Sequence, residues 1–217
     1  MKKLLFGLLF VSAMGSLSSC KEDSKIPAPD VTSVPLIFPK VSSVIENDHF
    51  DTPRSAASIN NLPRLANPTR PVFEFSIDIP DQRDVQIQSV EVYKSFQRGI
   101  FIGPRVLQAT YTSFPATVSV NSQDALTGLQ RIFSAIPGSG TNLPTLRNLL
   151  GATPSNPNEV LAGDIIVFTF EYVLKDGSRV ILTPLTDVKL AGGGTAKVIS
   201  GTQVNPPYAL YARFQVK

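Results

Sequence analysis

From Phe73 to Ile79 every second residue is large and apolar, and Glu74, Ser76 and Asp78 fill the positions between. Successive side chains of a strand point to opposite faces, so this pattern demands an extended segment with one face buried and one wet. The alternation returns over 86–96, where Val90 and Val92 are set against Ser89, Glu91 and Tyr93. Two further extended segments fit 105–112 and 116–121. The gaps between these segments are short and rich in turn residues, too short for the crossover helices that parallel strands need. An all-β fold, an antiparallel β-sandwich, is therefore expected.

A second block of strands follows after residue 163. Residues 164–174 are rich in Ile, Val, Phe and Tyr, and Lys175-Asp176-Gly177-Ser178 carries the Asp-Gly pair that suits a tight hairpin turn. Residues 179–185 then return as the partner strand. This hairpin is expected at the centre of a sheet, with Ile166, Phe168, Phe170 and Tyr172 on one face and Val167, Thr169 and Glu171 on the other. The glycines at 192–194 mark a turn before a strand at 196–200, and alternation over 208–216 gives a closing strand.

Between the two blocks the pattern turns helical. Ser122 stands where a cap would open a helix through Asp124, Leu126, Leu129 and Phe133, stopped by the Gly/Ser/Pro segment at 137–140. A second helix fits 143–150, with Asn142 as cap, Pro144 in the first turn and Gly151 beyond the end. The expectation is a short helical insertion around 122–151 that lids the open end of the core. The β domain is placed at 70–217 and an irregular leader at 20–69, with a short edge strand at Leu36-Ile37-Phe38 held to the edge by Pro35 and Pro39. Residues 46–71, polar and broken by prolines, read as a long loop.

The N-terminus carries a different kind of signal. Lys2 and Lys3 precede an apolar run of about ten residues, half the roughly twenty that a membrane-spanning helix needs. With the small residues that follow, this is the layout of a cleaved secretory signal over residues 1–19. Behind it stands Cys20, the chain's one cysteine, then Lys21-Glu22-Asp23 and a tether bearing Pro27, Pro29 and Pro35. One cysteine allows no internal disulfide, so the domain folds on its apolar core, and 42% hydrophobic against 17% charged residues suit such a core. The formal net charge of +3 includes Lys2 and Lys3, and no run of basic residues marks a nucleic-acid partner.

The residue inventory narrows the chemistry. His49 is the one histidine and lies in the leader, which leaves a nucleophilic triad without a placed base and a zinc site without ligands. Ser139 sits in Pro-Gly-Ser-Gly, which lacks the spacing of a nucleophile elbow, and Gly192-Gly193-Gly194-Thr195-Ala196-Lys197 lacks the ending of a phosphate loop. Glu91 and Glu171 could oppose each other across a groove as a glycosidase pair, although the spacing such a mechanism depends on is not set by sequence. Asp78, Asp81 and Asp84 cluster at one turn, where ordinary turn aspartates are favoured over calcium ligands. No catalytic residue, metal site or cofactor is expected. With no tryptophan in the chain, Tyr93, Tyr111, Tyr208 and Tyr211 are the candidates for a ligand-contacting ring, and Tyr93 and Tyr111, each beside polar neighbours, are preferred.

Leu17-Ser18-Ser19-Cys20 resembles the bacterial lipobox, in which the cysteine is acylated and becomes the mature N-terminus. Lys21-Glu22-Asp23 resembles the charged signal that sends lipoproteins of Bacteroidota to the outer face of the outer membrane. Together with the tether and an immunoglobulin-like run of strands, the chain looks like the accessory surface lipoproteins of that group, including those that serve glycan uptake. The resemblance implies a lipid-anchored, non-enzymatic binding or assembly module facing the cell exterior, with an outer-membrane protein or a glycan as partner. Periplasmic orientation, a surface hydrolase and a purely structural or adhesive protein are the alternatives.

Overall fold

The computed structural model describes residues 33–44, 49–52, 72–82, 84–133, 143–149, 160–200 and 208–216. The signal at 1–19, Cys20, Lys21-Glu22-Asp23, most of the tether and Ser139 lie outside the described residues.

The alternating segments become strands of two sheets. In the smaller sheet β3 (Phe73–Asp78) runs antiparallel between β1 (Phe38–Val41) and β7 (Ala116–Val120). In the larger sheet β10 (Ile165–Leu174) is central, flanked by β4 (Ile87–Arg98) and β14 (Ala209–Val216). β2 (His49–Thr52) lies outside β14, while β5 (Phe101–Ile102) and β6 (Val106–Tyr111) pair with β4. The two sheets share one apolar core. Phe73, Phe75 and Ile77 of β3 are fully buried against Phe168 and Phe170 of β10, and the Phe73 and Phe168 rings stack with centroids 5.6 Å apart. Offset ring pairs of this kind add to the stabilisation from buried area, so Phe168 is a principal contact between the sheets.

Pairing starts well before residue 70. Pro39 sits in β1, opposite Ile77, and is tolerated because β1 is an edge with no neighbour on its other side. β2 falls inside the segment expected to be loop. It pairs parallel with β14, His49 opposite Arg213, and buries Phe50 against Phe214 with ring centroids 5.1 Å apart. Strands β1 and β2 thus precede residue 70, within a compact unit Ser33–Lys217.

The central hairpin forms, with a shorter return strand than expected. Gly177 takes φ 84°, and Asp176 Oδ1 accepts bonds from the Ser178 amide (2.8 Å) and hydroxyl (2.6 Å). The return strand β11 is only Arg179–Ile181. One edge of β10 is divided between β11, which pairs with Glu171 to Val173, and β14, which pairs with Ile165 to Thr169. Beyond β11, Pro184 offers no N–H, and the chain turns into a separate hairpin of β12 (Leu185–Lys189) and β13 (Thr195–Ile199). Leu185 and Ile199 cover Val167 and Ala209, so β10 is buried on both faces along most of its length.

The insertion is mostly strand. Helix α1 is Ser122–Leu126, and its cap is Asn121, whose Oδ1 accepts the Asp124 amide at 2.9 Å. Gly128, at φ 76°, ends the turn, and the chain continues as β8 (Gln130–Phe133), paired with β9 (Thr145–Asn148), where a second helix was expected. Ile132 and Leu146 pack on Val188, Leu190, Ala196 and Val198 of the β12–β13 hairpin. This tertiary contact overrides the local capping signals. The lid itself is real but brief: Ala125, Leu126 and Leu129 close onto the main core.

Under that lid lies Lys94, 4% exposed, whose ammonium donates to the Asp124 carbonyl. Burial pushes its pKa down to about 8 from 10.5, an effect the nearby Asp124 carboxylate partly opposes. The unfolded chain then holds more protons than the folded chain between pH 8 and 10.5, so stability should rise with pH across that window. Lys94→Met should abolish this rise and leave the protein at least as stable as wild type at pH 7, which urea titrations at pH 7 and 9.5 would measure. A wild-type midpoint that falls over this range would overturn the assignment.

Candidate functional site

The outward face of β4 and β10 gathers the densest set of charged side chains among the described residues. Its origin is the register. Glu91 on β4 stands directly opposite Glu171 on β10, and Tyr93 stands opposite Thr169. Two carboxylates in facing positions repel unless cations intervene. Arg179, the first residue of β11, reaches diagonally across the hairpin. Its Nη2 donates to Glu171 Oε2 at 2.8 Å and also bonds Glu91 Oε2. Arg105, just before β6, pairs with Glu171 Oε1 and lays its guanidinium over the Tyr93 ring, 4.2 Å from the centroid. The Tyr93 hydroxyl donates to Glu91 Oε2 at 2.6 Å and accepts from Arg179 Nη2 at 3.2 Å.

This cluster is electrically balanced, two carboxylates against two guanidiniums. Glu171 is 1% exposed and Arg179 44%, so the network runs from the interior to solvent. The hydrogen bond from Tyr93, reinforced by Arg179, holds the Glu91 carboxyl below its usual range despite some burial. Burial, and next the bond to Glu91, push the Tyr93 phenol up to about 12. Bonds to Glu171 and Glu91 raise Arg179 further above its already high value. A glycosidase acid needs the opposite, a carboxyl raised so that it holds a proton near neutrality. Glu91 is shifted away from that role, and Glu171 is ion-paired with both Arg105 and Arg179. The arrangement ties β4, β10, β11 and the segment before β6 together.

No family model, curated protein or solved structure matches this chain. Its site residues therefore stand on geometry alone. Tyr93 and Tyr111 are not brought together. Tyr111 pairs with Val90, on the core-facing side of β4, and packs against the main core, whereas Tyr93 faces outward beneath Arg105. Asp78 accepts the adjacent Ile79 amide (2.8 Å), whereas Asp84 accepts the amide of Ser33, distant in sequence (2.9 Å). Among the described residues no three His, Cys, Asp or Glu side chains are grouped to hold a metal. The glycines at 193 and 194 take positive φ in the β12–β13 turn, with no helix after them.

Two residues that complete the cluster, Arg105 and Arg179, escaped the reading of the sequence. Arg179 had a visible signal. It is the first residue after an Asp-Gly turn, which places it diagonal to Glu171, and an outward glutamate at that position calls for a cation. Arg105 had none, because its approach to Glu171 depends on how the segment between β5 and β6 crosses the sheet.

Proposed function

We propose that this chain is a lipid-anchored, non-enzymatic surface module of the outer membrane, built on an immunoglobulin-like β-sandwich and serving in binding or assembly. The observation that carries the reading is Leu17-Ser18-Ser19-Cys20 at the end of a short apolar signal. The strand order supports the fold. β1, β3 and β7 correspond to strands A, B and E of an immunoglobulin sheet, and β14, β10, β4 and β6 to G, F, C and C′. The first strand region divides between the sheets, β1 antiparallel to β3 and β2 parallel to β14, a switch in keeping with that topology. The insertions fall between E and F and between F and G.

The balanced cluster supports the non-enzymatic part, since neither carboxylate is placed to donate a proton. Of the two partner classes, a protein is favoured over a glycan. The Tyr93 ring is covered by Arg105 and Tyr111 packs on the core, so neither offers the free face on which a sugar stacks. Surface display is tested by replacing Lys21, Glu22 and Asp23 together with alanine. The expected outcome is a protein still bound to membranes but no longer cleaved by protease added to intact cells. Unchanged cleavage would remove the export role of these residues.

A further inference from the structure

The β8–β9 hairpin places two cations on facing positions. Arg131 stands directly opposite Arg147 across the strand pair. Like charges in facing positions repel. Both nevertheless converge on one ring: the guanidinium carbons lie 4.2 and 4.7 Å from the centroid of Phe133. By strand alternation these three residues occupy the face turned away from Ile132 and Leu146, which pack on the β12–β13 hairpin.

A third guanidinium, Arg98, lies within electrostatic range of Arg131. The nearby carboxylate is Asp164, 3% exposed, and it is already committed. Its Oδ1 accepts from Arg98 Nε at 2.6 Å, its Oδ2 pairs with Arg98 Nη2 at 2.5 Å, and the Leu161 amide adds a bond to Oδ2 at 2.6 Å. Asp164 also favours the charged form of Arg131, but this one carboxylate serves two guanidiniums, and Arg147 adds a third positive charge beside Arg131. In addition, Arg131 Nε is buried and has no hydrogen-bond partner. A buried donor left unmade is unfavourable, and native structures rarely retain one without a reason. Burial, and next the field of Arg98, disfavour the charged form of Arg131; Asp164 partly offsets them and Arg147 adds to them, so a bound negative group would relieve the site.

We propose that the Arg131–Phe133–Arg147 face of the β8–β9 hairpin binds an oxyanion, the carboxylate, sulfate or phosphate group of a small acidic ligand. Two guanidinium forks supply donors in the planar geometry that such groups accept in pairs. The half-buried Phe133 ring anchors both guanidiniums on this face of the hairpin. This site is separate from the Glu91–Arg179 cluster and does not depend on membrane anchorage.

The test uses the full chain purified in detergent and titrated calorimetrically with sodium sulfate, sodium phosphate and sodium glucuronate, against sodium chloride at matched ionic strength. Wild type should bind at least one of the three saturably. The glucuronate arm distinguishes a carboxylate-bearing sugar from a tetrahedral anion. Arg131→Gln with Arg147→Gln should weaken binding about 10- to 100-fold, the loss expected when charge-assisted hydrogen bonds are removed. Arg147→Lys keeps the charge at an exposed position and loses the fork, so it should fold as wild type and still bind more weakly. No saturable binding by wild type, or equal binding by Arg147→Lys and wild type, overturns the proposal.

Discussion

Cys20→Ala is expected to remove the protein from the outer-membrane fraction almost completely. On the proposed anchoring, loss of the thiol leaves no thioether to diacylglycerol, and cleavage before residue 20 with acylation of the new N-terminus would have no substrate. The argument rests on chain number. One acyl chain holds a protein marginally, whereas two or more, at about 0.8 kcal/mol per buried methylene, hold it stably. The uncut signal is no substitute, because its apolar run of about ten residues is half of what a spanning helix requires. Cys20→Ser, which keeps the size and removes the nucleophile, should behave in the same way. The first core residue among those described is Ile37, so both variants should melt at the wild-type temperature. Fractionation with mass spectrometry of the mature N-terminus decides the matter. Outer-membrane retention of a chain that carries no lipid would defeat the anchoring proposal.

Strands were legible where one face stayed wet. β3 alternates between buried apolar and half-exposed polar residues along its whole length, and its pattern is visible in the sequence. β10 alternates as well, yet Thr169 and Glu171, which look wet, are almost fully buried. Part of that cover comes from distant segments, Arg105 over Glu171 and the β12–β13 hairpin over the same face of β10, which no local window contains. β2 was missed for a related reason. Its four residues hold one apolar side chain, Phe50, and its partner is the last strand of the chain. The misread second helix shows the converse: Asn142, Pro144 and Gly151 are correctly spaced for caps, but Leu146 finds its partners on β8 and the β12–β13 hairpin. That Glu91 and Glu171 each lie on the face opposite their own strand's apolar residues followed from alternation. Their direct opposition did not, because the register of β4 on β10 depends on long-range pairing.

Arg105→Met should be the most damaging single substitution in the charged cluster, costing about 3–5 kcal/mol, because it leaves the Glu171 carboxylate buried without one of its two cations. For a domain of this size that lowers Tm by roughly 10 °C. Arg179→Ala should cost less, since that guanidinium is 44% exposed and water screens its bonds. Combining Arg105→Met with Glu171→Leu removes both buried charges and should recover much of the loss, as an apolar replacement of a buried pair often does. The double-mutant cycle therefore measures the coupling directly. Acid adds an independent check. The Glu91 carboxyl is held below 4.5 in the folded state, so its contribution is complete above that value and is lost as pH falls through the depressed folded pKa. Arg179→Ala removes one of the groups that depress it and should shift the acid transition upward. These responses separate a clamp from a catalytic pair. In a clamp Glu91→Gln lowers stability and steepens nothing else; a hydrolase would lose turnover on a glycan at nearly unchanged Tm, and that result would reverse the reading of this face.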